Sequence, residues 1–174
     1  MDCPIELEYN RVYVEHNFLP LSLIRKIKEY SLNNKPSGLN LTDWDVGVIA
    51  TSGTIILYNL PDIIKLEIKA YLSTKIVLLE TKTIDATYTL GSRYSYIPWH
   101  ADEGRLLACT VYLNESWDKD WSGALIYTSD GEHKAIYPEF NKAVFFKPPI
   151  NHCTIMPNIQ APLRESLQIF IDEK

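Results

Sequence analysis

From Ile76 onward the chain changes texture: short β-branched and aromatic runs alternate with clusters of turn residues. No other feature limits the possible folds so strongly. The spacing predicts strands near Thr83–Leu90, Arg105–Asn114, Ala124–Thr128, Glu132–Ile136, Ala143–Phe146, Cys153–Met156 and Ser166–Ile171. Strands this short and this frequent close into a sandwich, barrel or jelly roll. Asp130-Gly131 is a hairpin signal between two of them, and Pro148-Pro149 and Pro157 mark breaks.

The first part of the chain reads differently. Between Pro20 and Leu32, Leu23, Ile24, Ile27 and Tyr30 recur at helical spacing, with Arg25, Lys26 and Lys28 on another face. A second helix is expected from about Pro61 to Ser73, where Ile64, Ile68 and Leu72 fall four apart. Short strand candidates, Arg11–Val14 and Thr54–Tyr58, precede the two helices. The expectation is a mainly β protein with N-terminal helices packed on one face of an antiparallel barrel. Residues 1–174 read as a single domain, with 1–75 as helical support and 76–174 as the jelly roll.

Composition excludes several classes. Apolar residues make up 46% and charged residues 22% of 174, which is ordinary for a globular domain and rules against a disordered chain. A formal charge of −5, from 17 basic and 22 acidic side chains, disfavours a phosphate-binding surface and makes nucleic acid an unlikely partner. No apolar run reaches the roughly 18 residues of a membrane span. The opening MDCPIELEYNR has no apolar signal core, and the three cysteines show no CxxC spacing. A reducing, cytoplasmic setting is expected, with Asn40-Leu-Thr42 and Asn114-Glu-Ser116 as chance glycosylation patterns.

The chemistry concentrates in five side chains. His100-Ala101-Asp102 puts an imidazole and a carboxylate two apart, on one face of an extended segment. The pair alone is weak, since so short a pattern recurs by chance. His152, at the start of a later strand, can supply a third ligand from across a barrel. Two His and one carboxylate leave three positions of an octahedron open, the ligand set of non-haem Fe(II) oxygenases. Arg164 follows on a strand carrying Leu167, Ile169 and Phe170, and a guanidinium on so apolar a strand needs an anion. Ser166 faces the same side, so the two suit the distal carboxylate of a dicarboxylic 2-oxo acid. His16 and His133 have no such partner pattern and are expected in surface or capping roles.

Read in order, His100-Ala101-Asp102, Tyr112-Leu113-Asn114, Ser122-Gly123-Ala124-Leu125, His152 and Arg164 resemble the 2-oxoglutarate- and Fe(II)-dependent dioxygenases, in their prolyl-hydroxylase-like branch. The stretches YLNESWDKDWSGALIY and AVFFKPPINH are similar to the oxygen-sensing prolyl hydroxylases. The resemblance spans roughly Tyr88 to Ile171 and implies a double-stranded β-helix of jelly-roll, cupin-like form. It implies His100, Asp102 and His152 as Fe(II) ligands, and Arg164 and Tyr112 on the distal carboxylate of 2-oxoglutarate. Ser166 resembles the serine of an Arg-x-Ser pattern, and Tyr88 a tyrosine near the cosubstrate. Ascorbate is a candidate auxiliary. Two features depart from the pattern: Gly123-Ala124 stands for a Gly-Gly pair, and Trp99 for a basic residue before the first ligand.

The activity implied is hydroxylation of a prolyl residue in a peptide or protein, or of free proline or a related small molecule, with release of succinate and CO2. A nucleic-acid demethylase with the same iron chemistry and a non-catalytic cupin-like metal module are the alternatives. Trp99, beside a ligand, is expected to contact substrate. Tyr94 and Tyr96 would shape the pocket, and Trp121 in the Asn114–Gly123 loop would help select what enters. Oligomeric state is left open.

Overall fold

A computed structural model of the protein describes residues 4–37, 54–77 and 83–172. Cys3, Trp44 and the Asn40-Leu-Thr42 pattern lie outside them. The elements are β1 (Val12–Glu15), α1 (Leu21–Asn33), β2 (Ile55–Asn59), α2 (Asp62–Ser73), β3 (Ile84–Gly91), β4 (Ile97–His100), β5 (Arg105–Tyr112), β6 (Leu125–Ser129), β7 (Glu132–Ile136), β8 (Lys142–Phe146), β9 (His152–Thr154) and β10 (Arg164–Asp172). Two antiparallel sheets form. One has the order β1-β8-β5-β10-β3-β2, and the other β4-β9-β6-β7. The interleaving of the two orders is that of a double-stranded β-helix.

Period-two alternation divides the larger sheet into two faces. Ala86 and Tyr88, Leu107 and Val111, Phe145, and Leu167, Ile169 and Ile171 are buried together with Leu23, Ile24 and Ile27 of α1 and Ile64, Ile68 and Leu72 of α2. Each such aliphatic side chain contributes about 1.5–3 kcal/mol on burial, which clamps the helices to the sheet. The opposite face of the same strands carries the polar residues that line a cavity. β1 and β2, both from the helical N-terminal part, pair with β8 and β3 and so form the two edges of the larger sheet.

Asp130 and Gly131 both adopt positive φ, 54° and 77°, as a two-residue hairpin between β6 and β7 requires. Strand β4, which carries His100, was not in the expected set; at four residues, with Pro98 inside it, it lacks any alternation to read. The strand expected to run to Asn114 ends at Tyr112. The Asn114 side chain instead donates to the carbonyl of Leu163 and accepts from the amide of Glu165, both at 2.8 Å. These two bonds bracket Arg164 and fix where β10 begins.

Candidate active site

Register brings the first and last metal-ligand candidates together. His100 on β4 stands directly opposite His152 on β9, and their ring centroids are 4.2 Å apart. Asp102 follows β4 by two residues, with its carboxylate oxygens 3.9 Å from His100 Nε2 and 3.6 Å from His152 Nε2. All three candidate ligand atoms lie within 4.8 Å of one another. The orientation of both rings is set from behind. His100 Nδ1–H donates to the Pro98 carbonyl and His152 Nδ1–H to the Ile150 carbonyl, each at 2.8 Å. Such a bond fixes the tautomer that leaves Nε2 as an electron-pair donor. Burial, aided by nearby His100, lowers the pKa of His152 and keeps it neutral, as a ligand must be. Phe146 packs edge-on against His152, with centroids 5.1 Å apart.

The second part of the site lies on the inner face of the larger sheet. Arg164 is 5% exposed. Its Nη1 donates to the carbonyls of Gly123 and Ile155 at 3.3 Å, and no carboxylate of the described residues pairs with it. Burial lowers its pKa, while neighbouring Tyr112 works the other way. A buried guanidinium left with only two long carbonyl contacts calls for an anion. Tyr112 is fully buried, and burial pushes its phenol up to about 12, so it remains a donor at neutral pH. Its partner across the β5–β10 ladder is Ser166. His100, Asp102, His152, Arg164, Tyr112 and Ser166 all line one cavity of about 480 Å³.

This donor set fits Fe(II) with a dicarboxylic 2-oxo acid: two imidazole nitrogens and a carboxylate for the metal, and an unpaired buried cation, a phenol and a hydroxyl for the far carboxylate.

Gly123 supports the arginine end. Its φ is +76°, and a Cβ there would stand 2.8 Å from Trp117 Cζ2 and 3.3 Å from Pro157 Cγ. Ala124, standing where a Gly-Gly pair would have its second glycine, is buried and does not adopt positive φ.

Several expected residues fall elsewhere. Tyr88, expected near the cosubstrate, faces the helices: its hydroxyl donates to Glu165 at 3.0 Å and its ring sits beside Tyr58. Alternation along β3 gives that position to Thr89 instead. Trp121 does not line the cavity; its ring packs edge-on against Trp117, and both belong to the support of the Gly123 turn. Tyr94, half exposed, and Tyr96 also lie outside the lining. Trp99 is part of the lining, and its ring rests on His133, centroids 4.9 Å apart. His133 therefore has a partner that its sequence context did not reveal.

The sequence reading missed three features of the wall. Gln168 and Phe170 line the cavity, and counting in twos from Arg164 and Ser166 would have found them. Arg105 could not be found that way. Ala108, Thr110 and Tyr112 face the cavity, so strict alternation would put Leu106 inside and Arg105 outside. The register shifts between Ile171 and Asp172, which pair with Leu107 and Arg105, so Leu106 is the extra residue of a bulge. Leu106 packs on the helix-side core, and Arg105 turns onto the cavity wall. There its guanidinium lies 4.3 Å from the Phe170 ring centroid and donates to Asp172 at 2.8 Å.

Comparison with known proteins agrees with this geometry. The model of the 2OG-Fe(II) oxygenase superfamily matches residues 86–171, about half the chain. No curated protein matches. A prolyl-4-hydroxylase from Pseudomonas putida superposes with a TM-score of 0.68 at 18% identity, covering 93% of this chain and 92% of that one. A Trichoplax adhaerens prolyl hydroxylase, solved with a hypoxia inducible factor oxygen degradation domain peptide fragment, gives 0.71 at 14% identity, covering 95% and 84%. A Burkholderia pseudomallei oxidoreductase of the 2OG-Fe(II) oxygenase family gives 0.70 at 11%, covering 94% and 84%. The chain belongs to the 2-oxoglutarate- and Fe(II)-dependent oxygenase superfamily, a class of dioxygenases, and has the prolyl-hydroxylase-like form of its fold.

Proposed function

We propose that this protein is an Fe(II)- and 2-oxoglutarate-dependent hydroxylase acting on a prolyl residue within a peptide or protein, and releasing succinate and CO2. One observation carries the reading: the His100, Asp102 and His152 cluster and a buried, carboxylate-free Arg164 line the same cavity. His100, Asp102 and His152 would hold Fe(II), and Arg164, Tyr112 and Ser166 would hold the distal carboxylate of 2-oxoglutarate. The bound metal and cosubstrate supply O2 activation coupled to decarboxylation, which inserts one oxygen atom into a substrate C–H bond.

The chain's own residues do the rest. The Pro98 and Ile150 carbonyls hold the Nδ1 protons, so both Nε2 atoms stay directed at the metal position. Arg164 neutralises the far carboxylate and fixes the direction in which the keto acid extends. Leu125 and Phe146 keep water from the wall beside His152.

A peptide is favoured over free proline by Arg105 on the cavity wall, whose charge Asp172 already balances. The guanidinium keeps N–H groups to donate to a peptide C=O without carrying an uncompensated charge. A free amino acid's carboxylate would be better served by an uncompensated cation. The demethylase reading needs a basic track for phosphates. Of the lining arginines, Arg164 is buried and Arg105 is already paired, so the cavity wall offers none.

The test is a succinate-release screen across proline, blocked prolyl peptides and other amino acids, with Fe(II) and 2-oxoglutarate. Turnover dependent on a prolyl peptide and lost in His100→Ala supports the reading. Iron-dependent turnover confined to free amino acids contradicts the peptide substrate. Turnover that survives His100→Ala contradicts the active site itself.

A further inference from the structure

Beside Arg164, four side chains from three strands form one hydrogen-bonded line on the inner face of the larger sheet. Thr110 Oγ1 donates to Gln168 Oε1 at 2.8 Å, and Gln168 Nε2 donates to Ser166 Oγ at 3.2 Å. Thr89 Oγ1 lies 2.7 Å from Ser166 Oγ. All four residues line the cavity, and Thr89 and Ser166 are buried.

Counting lone pairs gives this line a direction. A serine hydroxyl has one proton to donate and two positions to accept. Thr110 turns the Gln168 amide so that its NH2 faces Ser166, and an NH2 can only donate, so it fills one position. Thr89 has one proton and two Ser166 oxygens in reach, Oγ at 2.7 Å and the backbone carbonyl at 3.2 Å; given to the nearer Oγ, that proton fills the second position. The Ser166 proton then has nowhere to go but into the cavity, on the side where Arg164 lies two residues back along the same face. A carboxylate bound at Arg164 favours this arrangement, because a hydrogen bond to a charged acceptor is about twice as strong as a neutral one.

We propose that Thr110, Gln168 and Thr89 are positioning residues that act through Ser166, fixing its hydroxyl proton on the distal carboxylate of the cosubstrate. The inference rests on the cosubstrate reading given above. It adds a mechanism by which three residues without charge set affinity for the dicarboxylate. In the competing wirings Ser166 donates to a turned-over Gln168 amide, or to Thr89 Oγ1 while Thr89 donates to the Ser166 carbonyl. The proposed wiring and its competitors predict different signs: removing the Gln168 amide or the Thr89 hydroxyl weakens dicarboxylate binding in the first, and removing the group that takes the Ser166 proton leaves it unchanged or strengthens it in the others.

The experiment is calorimetric titration of the Mn(II)-loaded full chain with two probes. N-oxalylglycine carries the distal carboxylate, and oxalate chelates the metal without it. Ser166→Ala should weaken N-oxalylglycine binding by about tenfold, as expected for one hydrogen bond to a charged group. Gln168→Leu and Thr89→Val should each weaken it several-fold, Thr89→Ser should restore it, and oxalate affinity should not move in any of them. In the Ser166→Ala background, Gln168→Leu should have little further effect, because its influence passes through the missing hydroxyl. A merely structural role would move both probes together and would persist in that background.

Wild-type affinity and an Arg164→Ala loss for N-oxalylglycine, with Gln168→Leu and Thr89→Val unchanged or tighter, overturn this inference alone. If the wild type binds N-oxalylglycine no better than oxalate, and Arg164→Ala changes neither, the cosubstrate reading falls and the inference with it.

Discussion

Strand β10 shows two different regimes on its two faces. Leu167, Ile169 and Ile171 are fully buried against the helices, where any apolar group of matching volume would serve. Arg164, Ser166, Gln168 and Phe170 face the cavity, where hydrogen-bond direction and charge matter and volume matters less. Stability and chemistry thus alternate residue by residue along nine positions. The sheet that holds the core thus also carries Arg164, Tyr112 and Ser166 on its other side, facing the His100, Asp102 and His152 cluster of the smaller sheet.

Substitutions on the two faces should separate cleanly, and the largest effect belongs to the metal cluster. His100→Ala should abolish metal-dependent turnover while leaving the melting temperature of the metal-free protein nearly unchanged; a large loss of stability instead would make the residue structural. Next is Arg164→Ala, expected to raise the KM for 2-oxoglutarate by at least about 100-fold, in line with the ~3–5 kcal/mol cost of breaking a buried ion pair.

On the opposite face, Ile169→Ala should cost ~2–5 kcal/mol of unfolding free energy in urea and leave that KM unmoved. Comparable KM changes from Ile169→Ala and Arg164→Ala would erase the distinction between the faces. Gly123→Ala joins the two regimes, since its backbone holds Arg164 while its missing Cβ makes room for Trp117. It should lose ~1–3 kcal/mol of stability and some cosubstrate affinity together.

The smallest effect concerns pH. The Tyr112 phenol is held at about 12 by burial, against an ordinary value of 10.0. The unfolded chain therefore releases this proton first, so its contribution to stability is intact below pH 10 and is lost as pH rises toward 12. Relative to Tyr112→Phe, the wild type should lose up to ~2–3 kcal/mol across that interval. Parallel stability curves for the two proteins would show that the phenol is not buried as described.

The comparison of faces also explains what could be read from the sequence. The aliphatic spacing of α1 and α2 and the alternation of β5 and β10 are local and strong, so both helices and most strands were legible. The candidate metal cluster was legible because His100-Ala101-Asp102 lies on one short extended run and His152 opens another. Tyr88 was misjudged by one position: alternation fixes which of Tyr88 and Thr89 faces the cavity, but not which face is the cavity until the helices are placed. Arg105 was hidden by the bulge at Leu106, a matter of pairing between β5 and β10 that no local pattern encodes. The stacking of Trp99 on His133 joins residues from opposite edges of the four-stranded sheet and leaves no trace in spacing.

The account stands most directly on one optical titration: anaerobic addition of Fe(II) and then 2-oxoglutarate to the full chain, followed in the visible region. The expected result is a weak charge-transfer band that saturates at one equivalent of each, disappears in His100→Ala, and needs far more 2-oxoglutarate in Arg164→Ala. A wild-type protein that develops no band, or one whose band is indifferent to both substitutions, would contradict the claim that these side chains form one metal and keto-acid site.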